Sequence, residues 1–250
     1  MAQYCITFSP TGGTKKVADI LKQGLGGAWA NMDLLCAETG VHFAPDDLCI
    51  AAIPSFGGRV PDTAAARLKA LNGNGAKTVL VCVYGNRAYE DTLVEMQDIL
   101  EDRDFVCVAA IAALAEHSIM HQFAAGRPDS NDEQVLMGFA EQITRKLASG
   151  VNTPLTLPGN RPYKEYKVAT MQPQADERCT HCGNCAARCP VGAIDPERPS
   201  ETDPGKCISC MACTASCPLG ARSVDPDKIA ALTERLRPML AGRKENEIFI

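Results

Sequence analysis

Near its C-terminal end the chain repeats one cysteine spacing, and this repeat limits what it can fold into more than any other feature. Cys179-x2-Cys182-x2-Cys185-x3-Cys189-Pro190 returns 28 residues later as Cys207-x2-Cys210-x2-Cys213-x3-Cys217-Pro218. Both copies run on into a Gly-Ala pair, Gly192-Ala193 and Gly220-Ala221. Thiols at this density read as a disulfide framework or as metal ligands. Thirteen cysteines are present, and the remaining five (Cys5, Cys36, Cys49, Cys82, Cys107) are scattered through the first 110 residues. That asymmetry implies two domains with different uses for sulfur. A formal net charge of −5 leaves no basic surface to neutralise phosphates, so nucleic acid is not an expected partner. No run approaches the roughly 20 apolar residues of a membrane span. The start MAQYCITFSP has neither the basic residues nor the apolar stretch of a signal peptide. A cytoplasmic location is the expectation, and in a reducing cytosol the cysteines read as ligands or buried thiols before disulfides.

The repeat resembles the bacterial two-cluster ferredoxins. In such proteins three closely spaced thiolates hold three irons of a 4Fe-4S cubane, and the fourth cysteine reaches across to the other cluster. The resemblance therefore assigns Cys179, Cys182, Cys185 and Cys217 to one cluster, and Cys207, Cys210, Cys213 and Cys189 to the other. Zinc sites would instead show two C-x2-C pairs separated by a longer spacer. A third cysteine on the same spacing, twice over, argues for iron–sulfur. The prolines end each short helix after its last ligand. The five outlying cysteines fall mainly on expected strands and read as small buried hydrophobes.

The first half alternates strand and helix patterns. Gln3 to Phe8 is a short apolar strand, and residues 13 to 25 follow with Val17, Ile20, Leu21 and Leu25 at helical spacing. Further strands are expected at Trp29 to Leu35, Leu48 to Ile53, Thr78 to Tyr84 and from Phe105 through Ala110. Helices are expected at Asp62 to Leu71, Glu90 to Leu100 and Asn131 to Leu147. Five strands interleaved with helices imply an α/β fold with a parallel, doubly wound sheet, because parallel strands need crossover connections.

Ligands of such sheets sit outside the carboxyl ends of the strands. The loop after the first strand, Ser9-Pro10-Thr11-Gly12-Gly13-Thr14, sets three hydroxyls and two glycines at a helix N-terminus, a place for an anion such as a phosphate. It lacks the order of a Walker A loop. Its S-x-T-G-x-T pattern resembles the flavodoxin family over residues 1–150, although an aromatic usual two residues before the serine is replaced by Thr7. The resemblance implies a five-stranded sheet of order 2-1-3-4-5 and an FMN site. Within that site, Pro54, Ser55, Phe56, Gly57 and Gly58 would cover one face of the flavin, with Phe56 in contact. Tyr84, Gly85, Asn86 and Tyr89 would lie after the fourth strand, Tyr89 stacking and Asn86 bonding the pyrimidine edge. Arg59 and Arg87 lie in these loops, either as cations near the reduced flavin or as solvated partners of Glu90, Asp91 or Asp62. Gly73 to Thr78 precedes a strand and reads as a turn. His117, with no nucleophile or ligand set beside it, reads as a structural or capping histidine.

Together the halves resemble the fused ferredoxin–flavodoxin proteins of anaerobes. The division expected is residues 1–150 for the FMN-binding domain, 151–174 for an ordered linker in which Tyr163, Tyr166 and Val168 are worth burying, 175–226 for the two-cluster domain, and 227–250 for a C-terminal helix and docking tail. The helix pattern runs from Pro226 to Leu240 with Ile229, Leu232 and Leu236 on one face, and the apolar ending Ile248-Phe249-Ile250 is expected to dock. Clusters exchange single electrons and FMN holds one or two, so the cofactors imply electron transfer with a redox protein partner, a ferredoxin, reductase or acceptor enzyme. The competing expectation is an FMN-dependent reductase acting directly on a quinone, nitro compound or free flavin. Bound cofactors would bring the net charge to about −11, which implies a partner with a basic docking face.

Overall fold

The computed structural model describes residues 1–250 except 37–39, 152 and 168–169, so the expectation for Val168 lies outside the described residues. Five parallel strands alternate with four helices: β1 (Gln3–Thr7), α1 (Gly13–Leu25), β2 (Trp29–Asp33), β3 (Leu48–Pro54), α2 (Asp62–Lys69), β4 (Lys77–Tyr84), α3 (Thr92–Glu101), β5 (Val106–Leu114) and α4 (Ser130–Ser149). The strands stand in the order β2-β1-β3-β4-β5, the flavodoxin-like order. Strands β3, β4 and β5 are buried almost end to end, as a sheet covered on both faces requires. Alternate residues serve opposite faces. Ile6, Ala51, Ile53, Leu80 and Cys82 meet α2 and α3 through Leu68, Leu93, Met96 and Leu100. Cys5, Ile50, Val79 and Val81 meet α1 and α4 through Val17, Leu21, Leu136 and Ile143.

Of the five outlying cysteines, Cys5, Cys49, Cys82 and Cys107 are buried in these layers, and burial pushes the Cys49 thiol up to about 12. Cys36 departs from the expectation: it lies beyond the end of β2, where the sheet no longer covers it, and is exposed.

The second part contains β6 (Gln174–Ala175), α5 (Asn184–Ala187), α6 (Ala212–Ala215), β7 (Arg222–Ser223), α7 (Pro226–Leu240) and β8 (Glu247–Phe249). β6 and β7 form a small antiparallel pair. The five-stranded sheet expected from the sequence gains a sixth strand, because β8 returns to pair antiparallel with β5, Ala110 opposite Phe249 and Ala112 opposite Glu247. Asn246 fixes this return: its Oδ1 accepts from the Leu114 N–H at 2.9 Å, and its Nδ2 donates to Asp132 at 2.8 Å. Asp132 is fully buried and paired with Arg127.

The two parts share a methionine-rich core. Met120, Met171, Met211, Val224, Leu232 and Leu240 pack together, and they come from the loop after β5, the crossing segment, the cysteine-rich segment and α7. The crossing segment is held between Leu155 and Lys164 as well. Leu155 is buried, Asp91 accepts from the Asn160 and Lys164 N–H groups, and Tyr163 donates to Asp98.

Candidate functional site

The eight repeat cysteines line two separate cavities. One is walled by Cys179, Cys182, Cys185 and Cys217, the other by Cys189, Cys207, Cys210 and Cys213. The fourth cysteine of each repeat thus stands with the first three of the other. Short helices α5 and α6 carry Cys185 and Cys213, and left-handed residues at Gly183 and Met211 turn the chain into them. After each last cysteine the chain folds back, so that the Ala193 and Ala221 N–H groups each point at the sulfur four residues earlier, at 3.2 Å. Among the described residues no three His, Cys, Asp or Glu side chains converge on a single ion. The thiols surround a space instead, which is the donor set a cluster of several irons needs.

Burial pushes the Cys210 thiol up to about 12. Burial also raises Cys213 and Cys207, and the charge of Arg222 opposes that rise in both. Binding a metal would require such thiols to release their protons.

A cavity of about 300 Å³ lies at the carboxyl ends of the parallel strands and is in the size range of cofactor sites. Thr11, Gly13 and Thr14 line it from the first loop, Pro54, Ser55, Phe56 and Gly57 from the second, and Tyr84 and Gly85 from the third. The first-turn N–H groups of α1 have no helical partner. One of them, that of Lys15, takes Ser9 Oγ at 2.9 Å. Gly12, at φ +91°, makes the turn that frees the rest. A Cβ on Gly85 would sit 2.8 Å from His117 Cα, so this close approach of two loops requires glycine.

Several residues expected at the flavin stand elsewhere than in this cavity's wall. Ser9, Gly12, Gly58, Asn86 and Tyr89 do not line the cavity. Ser9 is turned inward to cap α1, and Gly58 is buried against Glu90. Asn86 is buried with its amide donating to the Leu240 and Gly242 carbonyls at 2.6 and 2.8 Å, so it secures the C-terminal segment. Tyr89 packs edge-on against Tyr84 and donates its hydroxyl to Glu247 on β8, at 3.2 Å, which turns it from the cavity. Arg59 pairs with Glu95, at 2.7 and 2.8 Å, and lies over the Tyr163 ring, away from the cavity. Arg87 lines the cavity while paired with Glu90.

His117 does cap, its Nδ1 accepting from the Ile119 and Met120 N–H groups, but it lines the cavity as well. Lys164 and Lys167 of the crossing segment, Ser209 and Cys210 of the cysteine-rich segment, and Leu232, Arg235 and Leu236 of α7 complete the walls. Apart from Cys210 in the cysteine repeat, no local motif marks these residues. Only the helical spacing of Leu232 and Leu236 showed in the sequence.

The first part is thus a flavodoxin-like α/β unit by its strand order, and the second presents two sets of four thiols of the kind that hold iron–sulfur clusters. The family model described as "4Fe-4S dicluster domain" matches residues 172–218. Among solved structures, a Streptococcus pneumonia TIGR4 flavodoxin is similar at 19% identity, covering 58% of this chain and 99% of its own, with a TM-score of 0.43. Oxidised Flavodoxin 1 from Bacillus cereus is similar at 12% identity, over 58% of this chain and 98% of its own, with a TM-score of 0.41. A Fusobacterium nucleatum flavodoxin bound to flavin mononucleotide shares 11% identity, over 58% and 96%, with a TM-score of 0.39. No curated protein matches the chain. Among the described residues no helix is long and apolar enough to cross a membrane.

Proposed function

We propose that the protein is an electron-transfer iron–sulfur flavoprotein, holding two 4Fe-4S clusters and one FMN and passing low-potential electrons to or from a redox partner. The observation that carries this reading is Cys210, which stands in the wall of both the second thiol cavity and the large cavity. A cluster held by Cys189, Cys207, Cys210 and Cys213 would adjoin the flavin. One held by Cys179, Cys182, Cys185 and Cys217 would lie farther out, where Cys182 is exposed. Bound clusters supply one-electron steps and bound FMN couples single electrons to pairs.

The residues of the chain position and insulate these groups. Thr11, Gly13 and Thr14 offer hydroxyl and N–H donors to the flavin phosphate at the positive end of α1. Phe56 and Tyr84 supply apolar walls. His117, neutral because burial lowers it to about 4, lines the cavity and retains one N–H donor. In this reading residues 1–150 are the flavin unit, 151–174 an ordered crossing, 175–226 the cluster module and 227–250 the docking helix and tail. The net charge of −5 supports a partner with a basic docking face. Anaerobic purification with iron, sulfide and flavin quantified per chain tests the reading. About eight irons and one FMN are expected; four irons, or a chain that will not take up flavin, would overturn it.

A further inference from the structure

Arg222 is only 4% exposed, and a guanidinium stays charged at any pH a protein tolerates. A buried charge without a counter-ion is expensive. Its Nη1 donates to the Pro199 carbonyl at 2.5 Å, and its Nη2 donates to the Pro173 carbonyl at 3.1 Å and to the Thr202 hydroxyl. Its Nε has no partner. Among the described residues these acceptors are all neutral, and no carboxylate answers the charge.

The position of the group says what does. Pro199 and Arg222 line the cavity of Cys179, Cys182, Cys185 and Cys217, whereas Pro173 and Thr202 line that of Cys189, Cys207, Cys210 and Cys213. The guanidinium therefore lies between the two thiol sets. Its Nη1 is 3.9 Å from the Cys185 sulfur, and Cys185 packs against Cys213 of the other set. The internal repeat sharpens the point. Gly220-Ala221-Arg222 corresponds to Gly192-Ala193-Ile194, and Ile194 is buried as well. The module thus accepts an aliphatic side chain at this place, and packing alone does not call for a cation.

We propose that Arg222 is the shared counter-charge of the two clusters, a fixed cation that raises both reduction potentials. The inference rests on the two-cluster reading, and as a positioning residue Arg222 ligates nothing itself. The test is a potentiometric titration followed by electron paramagnetic resonance, on chains matched for iron content. Arg222→Met should weaken the electron affinity of each cluster about tenfold or more, a fall of about 59 mV for one electron. Arg222→Lys, which keeps the charge and gives up the fork of hydrogen bonds, should stay near the original potentials.

Unchanged potentials in an iron-replete Arg222→Met chain would reduce the residue to a clamp on Pro173 and Pro199 and overturn the proposal. If that variant fails to hold iron, Arg222→Lys and Arg222→Gln are compared, since both lose the fork and only one loses the charge. Equal potentials in the pair likewise overturn it. Original protein without two cluster signals would instead count against the two-cluster reading.

Discussion

His117 is held neutral by two effects that act together. Burial disfavours its charged form, with His121 and Arg87 adding repulsion, and its Nδ1 already accepts two backbone N–H groups. Its pKa falls from 6.5 to about 4. Between these values the unfolded chain binds a proton that the folded chain refuses. The histidine's contribution is therefore complete above pH 6.5 and is lost as the pH falls toward 4, about 3 kcal/mol in all. Urea unfolding at stepped pH should show this slope in the original protein, and His117→Asn should lack it; parallel curves would refute the assignment. At this scale the sequence was partly legible. Thr11, Thr14, Phe56 and Tyr84 were expected from loops next to strand ends and line the cavity, because local chain geometry places such loops together. Asn86 and Tyr89 lie in the same kind of loop, yet they are claimed by Leu240, Gly242 and Glu247, more than 150 positions along the chain. No local pattern carries a contact of that range.

Among the elements, the strongly periodic ones were read to the residue. α1 runs Gly13–Leu25 and α7 runs Pro226–Leu240, the latter opened by a proline in its first turn and an Asp225 cap. α4 begins one residue before its expected start, because Asp129 and Asp132 close a capping box there. β8 is three residues long, and its apolar ending signalled burial without showing where or in which direction it would pair. It matters beyond its size, since it covers the edge of β5 and carries Asn246 into the Asp132–Arg127 pair. Ending the chain after Glu245 strips the Leu114 N–H and Asp132 of a partner each. The expected loss is roughly 2–4 kcal/mol, one to two for each buried hydrogen bond. A urea midpoint unchanged by this truncation would show that the tail contributes nothing to stability.

On the scale of the whole molecule, the repeat and the alternation of strands and helices made both architectures legible, because each is written in contacts close along the sequence. Their mutual placement was not, since it depends on Met120, Met171, Met211 and Leu232 meeting from four separate segments. The path of the chain has one further consequence. It leaves the sheet after α4, builds the cysteine-rich module, and comes back through α7 to lay β8 on the same sheet. The module is accordingly an insertion anchored at both ends, not an appendage on a hinge. The proposed relay would have no swinging arm, and the spacing between its redox centres would be set by the fold rather than by a diffusive search. Internal electron transfer after rapid reduction of one centre should thus proceed at the same rate in dilute buffer and in viscous glycerol; a rate that falls in proportion to viscosity would mean that the two parts must move to meet.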